Sequence, residues 1–323
     1  MTNIKKLRYF IETCALKSMA WLLPRMPRHL LMVLARAVGT LAYLVDYRGR
    51  GTALENLRVA FKGKYGWWQR HQITRRAYQN FARTYIDLFW AASVTRDNWM
   101  QHSHLDQSAR DMHAVSRNRG IVWVGPHFGN FEFMALIWGY MDVRFTVIAQ
   151  DFKNTGLTDI FKRAREVSGH TVIPQQSAML RMVKALSRGG NVAILTDLNV
   201  KPHRAAVIIE CFGLKTCVTT IHVLLAQRLG LPLAPTLCVP NEDGTYDMKV
   251  GALIEPKPED SPQAIAQQCW DCFEPEIRAR PELWMWMYKH WRFLPGDGTD
   301  DQYPDYANGE DKRFAKMVAG KKL

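Results

Sequence analysis

The sequence predicts an α/β protein with a mostly parallel central sheet flanked by helices and an N-terminal helical region that associates with a membrane. Three observations lead there. From residue 121 onward, short continuous apolar runs alternate with helical stretches of about ten to fifteen residues, the rhythm of βαβ units. Ahead of that point, apolar residues recur at three- and four-residue steps, as Ile73, Ala77, Phe81, Tyr85 and Leu88 do, the period of a helix with one buried face. The first fifty residues interleave Leu, Met, Trp and Phe with nine Lys or Arg and only Glu12 and Asp46 as acids, a mixture suited to a lipid interface.

The elements follow in order. Residues 1–48 read as two helices broken near Pro24 and Pro27, because proline does not continue a helix. Arg8, Glu12, Lys17 and Arg36 interrupt the apolar stretches, so neither reads as a bilayer-spanning segment of about twenty apolar residues. Both read as amphipathic helices partly inserted in a membrane; the alternative is that they pack on the protein core. Helices are expected at 52–62 and 68–95. Ile121–Val124 reads as a buried strand ending in Gly125-Pro126, and 130–140 as a helix. Strands at 145–149, 171–174 and 192–195 alternate with helices at 157–168 and 177–188. A short strand at 206–209, a helix at 218–229, strands at 233–239 and 246–250 and a helix at 261–280 complete the pattern. The acidic, Gly-containing stretch 296–310 reads as the start of a loose tail. The domain expectation is therefore membrane-associating helices over 1–50, a catalytic unit over 51–295 and a flexible tail over 296–323.

Composition narrows the function. A 47% apolar and 23% charged chain of 323 residues can bury a large core, which excludes disorder for its body. The net charge of +13 favours an anionic partner. No nucleic-acid-binding module is evident, so nucleic acid is not an expected partner. Cys269 and Cys272 form a lone C-x-x-C in a helix-like, Trp-containing run without a second pair, so neither metal nor cofactor is expected. Scattered cysteines imply a reducing compartment.

The chemistry is concentrated in Gly125-Pro126-His127-Phe128-Gly129-Asn130-Phe131-Glu132, where a strand hands over to a helix. Ligands in such folds bind beyond the carboxyl ends of the strands. Five steps of about 100° would put His127 and Glu132 on different faces of one helix. With His127 in the loop and Glu132 in the first turn, the carboxylate can reach back to one imidazole nitrogen. His127 is then a general base whose tautomer Glu132 fixes. Gly125 and Gly129 permit close approach of a substrate, and free amides at the helix start would support an oxyanion. The plainer reading is a helix-start histidine with an acid favoured by the helix dipole.

This octapeptide resembles the H-x4-[DE] motif of the glycerolipid and lysophospholipid acyltransferases and, more narrowly, the bacterial lipid A late acyltransferases (lauroyl and myristoyl transferases). Further blocks agree in order over roughly residues 20–295. Glu55-Asn56-Leu57 with Ala60-Phe61 is similar to an N-L-x-x-x-F segment, and 80–90 to a pre-catalytic helix. Residues 154–169, with Arg165 four before Gly169, are similar to a second block, and Asp197-Leu198-Asn199 to a D-Q-[DN] block. Cys211-Phe212-Gly213 stands where the family has F-F-G, and 286–292 resembles a terminal W-x-H-x-R-W segment.

The resemblance implies transfer of an acyl group from a thioester, acyl-carrier protein or acyl-CoA, to a hydroxyl of a lipid A precursor or related glycolipid. It places the protein on the cytoplasmic face of the inner membrane, against an anionic lipid surface. His127 and Glu132 carry over as catalytic residues. Arg165, with Arg163 as competitor, and Gly129 are expected to position the donor or its carbonyl oxygen. Asn130, Asp197 and Asn199 are expected to orient the acceptor or give support; Asp197 and Asn199 also suit a plain turn. The chain departs from the pattern at Gln150-Asp151, where an Arg-Pro pair is usual, and at His222, read as a satisfied, partly buried histidine. The alternatives are the same chemistry on a phospholipid, glycosyl lipid or aminolipid, or a silent membrane lipid-binding protein.

Overall fold

The computed structural model describes residues 3–307 and 311–321. Helices α1 (Asn3–Leu22) and α2 (Arg28–Val45) are separated at Pro24 and Pro27, and α3 (Tyr47–Ala60) and α4 (Trp67–Trp90) follow. Next come β1 (Ser103–Leu105), α5 (Gln107–Ser116), β2 (Val122–Gly125), α6 (Phe131–Tyr140), β3 (Phe145–Ala149), α7 (Thr155–Glu166), β4 (Thr171–Pro174), α8 (Ala178–Leu186) and β5 (Asn191–Leu195). The chain continues through β6 (Ala206–Cys211), β7 (Leu214–Thr219), α9 (Ile221–Leu229), β8 (Leu233–Pro240), β9 (Tyr246–Val250), α10 (Pro262–Asp271), α11 (Glu274–Ala279) and α12 (Lys312–Val318).

Seven strands form one sheet in the order β1-β9-β8-β2-β5-β3-β4. All neighbours are parallel except β8 and β9. The fold is thus the α/β class expected. Successive residues of the central strands enter opposite cores, as pleating requires. Val122 and Val124 join α8, α9 and α10 on one face, while Trp123 joins α4, α5 and α6 on the other. Helix α2 stands behind α4 on that second side. Its Gly39 is the point of closest approach, because an added Cβ would fall on the backbone of Gln79.

The structure differs from the sequence reading in four places. Strand β1 has only three residues, too few to show alternation, and α5 is largely polar on its outer face. Residues 214–219, partly assigned above to a helix, pair with β6 instead. The two-residue turn Phe212-Gly213, with φ of 54° and 77°, sets this hairpin, and positive φ at both positions suits the twist of paired strands. The expected helix over 261–280 is two helices, α10 and α11. In the C-terminal segment expected to be loose, Tyr303 and Phe314 are buried. The Tyr303 hydroxyl bonds both the amide and the carbonyl of Lys215, at 2.8 and 3.1 Å, and Phe314 packs on Ile208, Cys217 and Phe293. Residues 308–310 and 322–323 of that segment lie outside the described residues.

A β-branched side chain at position 39 must push α2 off α4. Gly39→Val is expected to lower the unfolding free energy by about 1–3 kcal/mol, the usual cost of overpacking. Urea unfolding followed by tryptophan fluorescence measures it; an unchanged midpoint would mean the helices do not pack this closely.

Candidate active site

Strands β2 and β5 are parallel neighbours with Gly125 opposite Leu195. His127 and Asp197 lie two residues beyond that pair, so the register itself brings them together past the carboxyl edge. The imidazole Nδ1 is 2.7 Å from Asp197 Oδ1, and the His127 amide donates to Asp197 Oδ2 at 2.9 Å. The indole of Trp284 donates to the same Oδ2 at 2.8 Å. Asp197 is fully enclosed; burial alone would raise its carboxyl, but the facing His127 and these donors hold it down to about 2. His127 keeps 16% of its side chain exposed, and Nε2 makes no hydrogen bond among the described residues. Phe131 meets the imidazole edge-on at 5.0 Å.

Glu132, expected to orient His127, is engaged elsewhere. Both of its carboxylate oxygens accept from Arg165, with Nε at 2.9 and 3.1 Å and Nη2 at 2.5 Å. This is a forked, largely shielded pair, the geometry in which arginine is held most firmly. Asp197 therefore occupies the position at the imidazole that the sequence reading gave to Glu132. Tyr85 of α4 lies within electrostatic reach of both members, and burial pushes its hydroxyl up to about 12.

The loop amides are also committed. His127 donates to Asp197, Phe128 to Pro126, Gly129 to Leu283 and Asn130 to Cys238. None of these four is free to bind an oxyanion; the amides of Phe131 and Glu132, in the first turn of α6, are the ones without an acceptor among the described residues, and they lie at the helix start where the sequence analysis places that site. Gly129 acts through its shape. It has φ of 59°, and an added Cβ would fall on the Cys238 carbonyl oxygen. Asn80 and Thr84 of α4 donate to its carbonyl. Asn130 caps α6 by accepting from Phe133, and its Nδ2 donates to Asp87 and Tyr246 at 3.0 and 2.9 Å. Asp87 in turn is paired with Arg28, at the first turn of α2. Asn199 is buried and donates to Thr216, whose hydroxyl donates to the His290 carbonyl. These two asparagines are scaffold in this geometry.

Trp284 is held by a layer of aromatic side chains. It stacks on His290 at 3.9 Å and lies 5.8 Å from Phe212, the turn residue, with Trp286 and Trp270 beside it. Burial drives the His290 imidazole down to about 4, so it remains neutral in the stack at pH 7. Phe128 bridges to Trp284 as an isolated antiparallel pair, which ties the His127 loop to this layer. His222, by contrast, is wholly buried on α9, with neither ring nitrogen partnered among the described residues and its imidazole driven down to about 4 by desolvation.

Partly open apolar strand residues lie near the imidazole. Although β5 is an interior strand, Ala193, Ile194 and Leu195 are only half-buried, as are Val147, Ile148 and Ala149 of β3. These residues are apolar, and His127, Asp197, Glu132 and Arg165 all come from the segments that open on the carboxyl edge of the sheet or cross it. The sequence motifs thus mark residues that do converge, but they assign no site role to Trp284, Tyr85 or Asn80, the last two appearing only within a helical block. Their signal was weak: each lies in a helical or irregular stretch whose direction depends on packing.

A mostly parallel sheet with a histidine–carboxylate pair at its carboxyl edge is an arrangement used by α/β enzymes. The bacterial lipid A biosynthesis acyltransferase family model matches residues 1–293, and the chain belongs to this family. It is an acyltransferase of lipid A biosynthesis. Comparison with curated proteins returns no match.

The Asp197 contacts make stability depend on acid pH. A carboxyl lowered from 3.8 to about 2 contributes stability above 3.8 that is lost as pH falls toward 2. Asp197→Asn should therefore be less stable than the parent at neutral pH, with the gap narrowing through that window. Urea midpoints of both proteins across the pH series provide the check, and a pH-independent gap would refute the assignment.

Proposed function

We propose that the chain transfers a fatty acyl group from a thioester donor to a hydroxyl of a lipid A precursor, with His127 as general base. The observation that carries this reading is the 2.7 Å contact of Asp197 with Nδ1, which leaves Nε2 without a hydrogen bond among the described residues. A carboxylate on Nδ1 fixes the tautomer that presents a basic Nε2 and stabilises the imidazolium formed later.

In this mechanism the acceptor hydroxyl gives its proton to Nε2 as its oxygen attacks the thioester carbonyl. The tetrahedral intermediate carries its charge on oxygen, where Arg165 and the amides at the start of α6 stabilise it. The C–S bond then breaks, and the imidazolium proton goes to the departing thiolate. Glu132 serves by holding the Arg165 guanidinium in one orientation, and Asp197 takes the orienting role at the imidazole. Apolar side chains of β3 and β5 receive the acyl chain. The donor is an acyl-carrier thioester or acyl-CoA. Gln150-Asp151, in place of a cationic pair, favours an acceptor whose anionic groups are arranged differently there.

The outer surfaces of α1 and α2 support a membrane-bound site on the cytoplasmic leaflet of the inner membrane. Leu30, Val33, Leu41 and Leu44 are exposed along α2, and Leu7, Phe10, Ile11 and Trp21 along α1. Helix α2 is long and apolar enough to cross a membrane, but its other face is packed on α4. An exposed apolar stripe of this size fits a helix lying in the interface.

General-base catalysis contributes roughly 10²–10⁴-fold. His127→Ala should lose that factor in thiol release from an acyl thioester in the presence of lipid A precursor micelles, with an unchanged circular dichroism spectrum. A variant that keeps the parent rate refutes the role. For the membrane reading, the double variant Val33→Asp, Leu41→Asp should leave the floating fraction in flotation with phosphatidylethanolamine–phosphatidylglycerol vesicles; equal flotation of both proteins would exclude α2 as the lipid contact.

A further inference from the structure

The face of the sheet opposite α2 and α4 has an unusual charge distribution. Residues 175–190, covering α8 and its flanks, contain Arg181, Lys184 and Arg188 and no acid. Residues 198–206, the loop after Asp197, contain Lys201, His203 and Arg204 and no acid. Helix α9 adds Arg228 and again no acid. The Lys and Arg side chains of this set are exposed, and none is in an ion pair among the described residues. The three segments adjoin. Helices α8 and α9 touch, and the Ala205 carbonyl accepts from the amide of Thr220 at the start of α9. The acid-free region ends at the far end of α9, where Gln227 reaches the Asp260 carbonyl.

Large apolar side chains sit among these cations. Leu180 is 72% exposed, and Met179 and Leu224 are also open to solvent. Interfaces between proteins favour Met and Arg in this way. Helix α8 follows the carboxyl end of β4, so its first turn, with Met179, Leu180 and Arg181, lies at the same edge of the sheet as His127. The loop carrying Lys201 and Arg204 leaves that edge directly after Asp197.

We propose that α8, the 198–206 loop and the start of α9 form the docking surface for a soluble, strongly acidic carrier protein that presents the acyl thioester to His127. The proposal rests on the acyl-transfer reading and adds to it where the donor lands. Charge complementarity selects an acidic partner. The spread of the cations over α8 and the 198–206 loop exceeds what the phosphates of one small thioester would engage. A flat bilayer is disfavoured because the exposed apolar helices α1 and α2 lie on the other side of the sheet; one membrane surface cannot cover both.

The test uses the full chain and the triple variant Arg181→Glu, Lys201→Glu, Arg204→Glu. Acyl-carrier-protein thioester and the small, carrier-free acyl-pantetheine serve as donors, and binding of the carrier protein is measured directly by calorimetry at low and high salt. The parent should bind the carrier with a steep loss of affinity as salt rises, and the variant should show about tenfold or greater loss of binding and of kcat/KM with the carrier-borne donor. Rates with acyl-pantetheine should remain within about twofold. Equal loss on both donors, or no loss of carrier binding, overturns the docking surface. Loss of flotation on anionic phosphatidylglycerol vesicles with carrier binding intact overturns it in favour of a lipid contact. Carrier binding that depends on these residues, with no acyl transfer from either donor by the parent, would retain the docking surface and refute the acyl-transfer reading.

Discussion

Everything at the carboxyl edge depends on one buried carboxylate. Asp197 is withdrawn from water, where an uncompensated charge would be prohibitive. Its compensation comes from three donors: the His127 imidazole, the His127 amide and the Trp284 indole. Losing any of them leaves the charge underpaired, so the carboxylate fixes all three at once. The imidazole is thereby oriented through Nδ1 and directed outward through Nε2, and the loop bearing it is fastened at its backbone as well as its side chain. A second carboxylate, Glu132, is held away from the imidazole by Arg165, which divides the labour between the two acids of the motif region.

Those donors need a rigid backing, and the backing is aromatic. Trp284 is wedged between His290 and the Phe212–Trp286–Trp270 layer. Phe212 occupies a left-handed backbone position that a bulky residue rarely adopts, and burial of its ring among these indoles, with the Arg278 guanidinium 4.5 Å above it, offsets that strain. Asn56 of α3 donates to the carbonyls of Trp286 and Tyr288, both at 2.7 Å, which locks the irregular segment between α11 and the C-terminal residues. On the opposite face, the Arg28–Asp87–Tyr246–Asn130 network holds the cap of α6. The His127 loop is therefore fastened from both sides of the sheet.

The two sides also differ in what they present to solvent. One carries bare apolar stripes on helices that pack through α4 onto the core; the other carries cations without an ion pair among the described residues, with a few large apolar side chains. Between them lie the half-buried residues of β3 and β5, near His127. On the proposed reading, a lipid acceptor arrives from the first side and a water-soluble donor from the second.

Much of the fold was legible in order. Apolar runs gave β2, β3, β4, β5, β8 and β9, and helical periodicity gave α2, α4, α6, α7 and α8, because local sequence sets whether a segment buries one face or two. The motif with His127 and Glu132, the Arg165 block and the Asp197 block were each visible as positions where a strand ends or a helix turns. What the sequence could not supply was strand order. Whether His127 meets Glu132, five residues away, or Asp197, seventy residues away, depends on β5 pairing with β2, and pairing is a choice among surfaces of similar hydrophobicity that only the packed whole decides. The same holds for β7, whose last two residues read as the start of a helix until the Phe212-Gly213 turn folds them onto β6, and for Tyr303 and Phe314, which are buried only because the packed fold has a place for them. The chain alone determined the chemistry on offer at the carboxyl edge; the tertiary structure decided which carboxylate faces the imidazole, because hydrogen-bond partners are set by distance in space and not along the sequence.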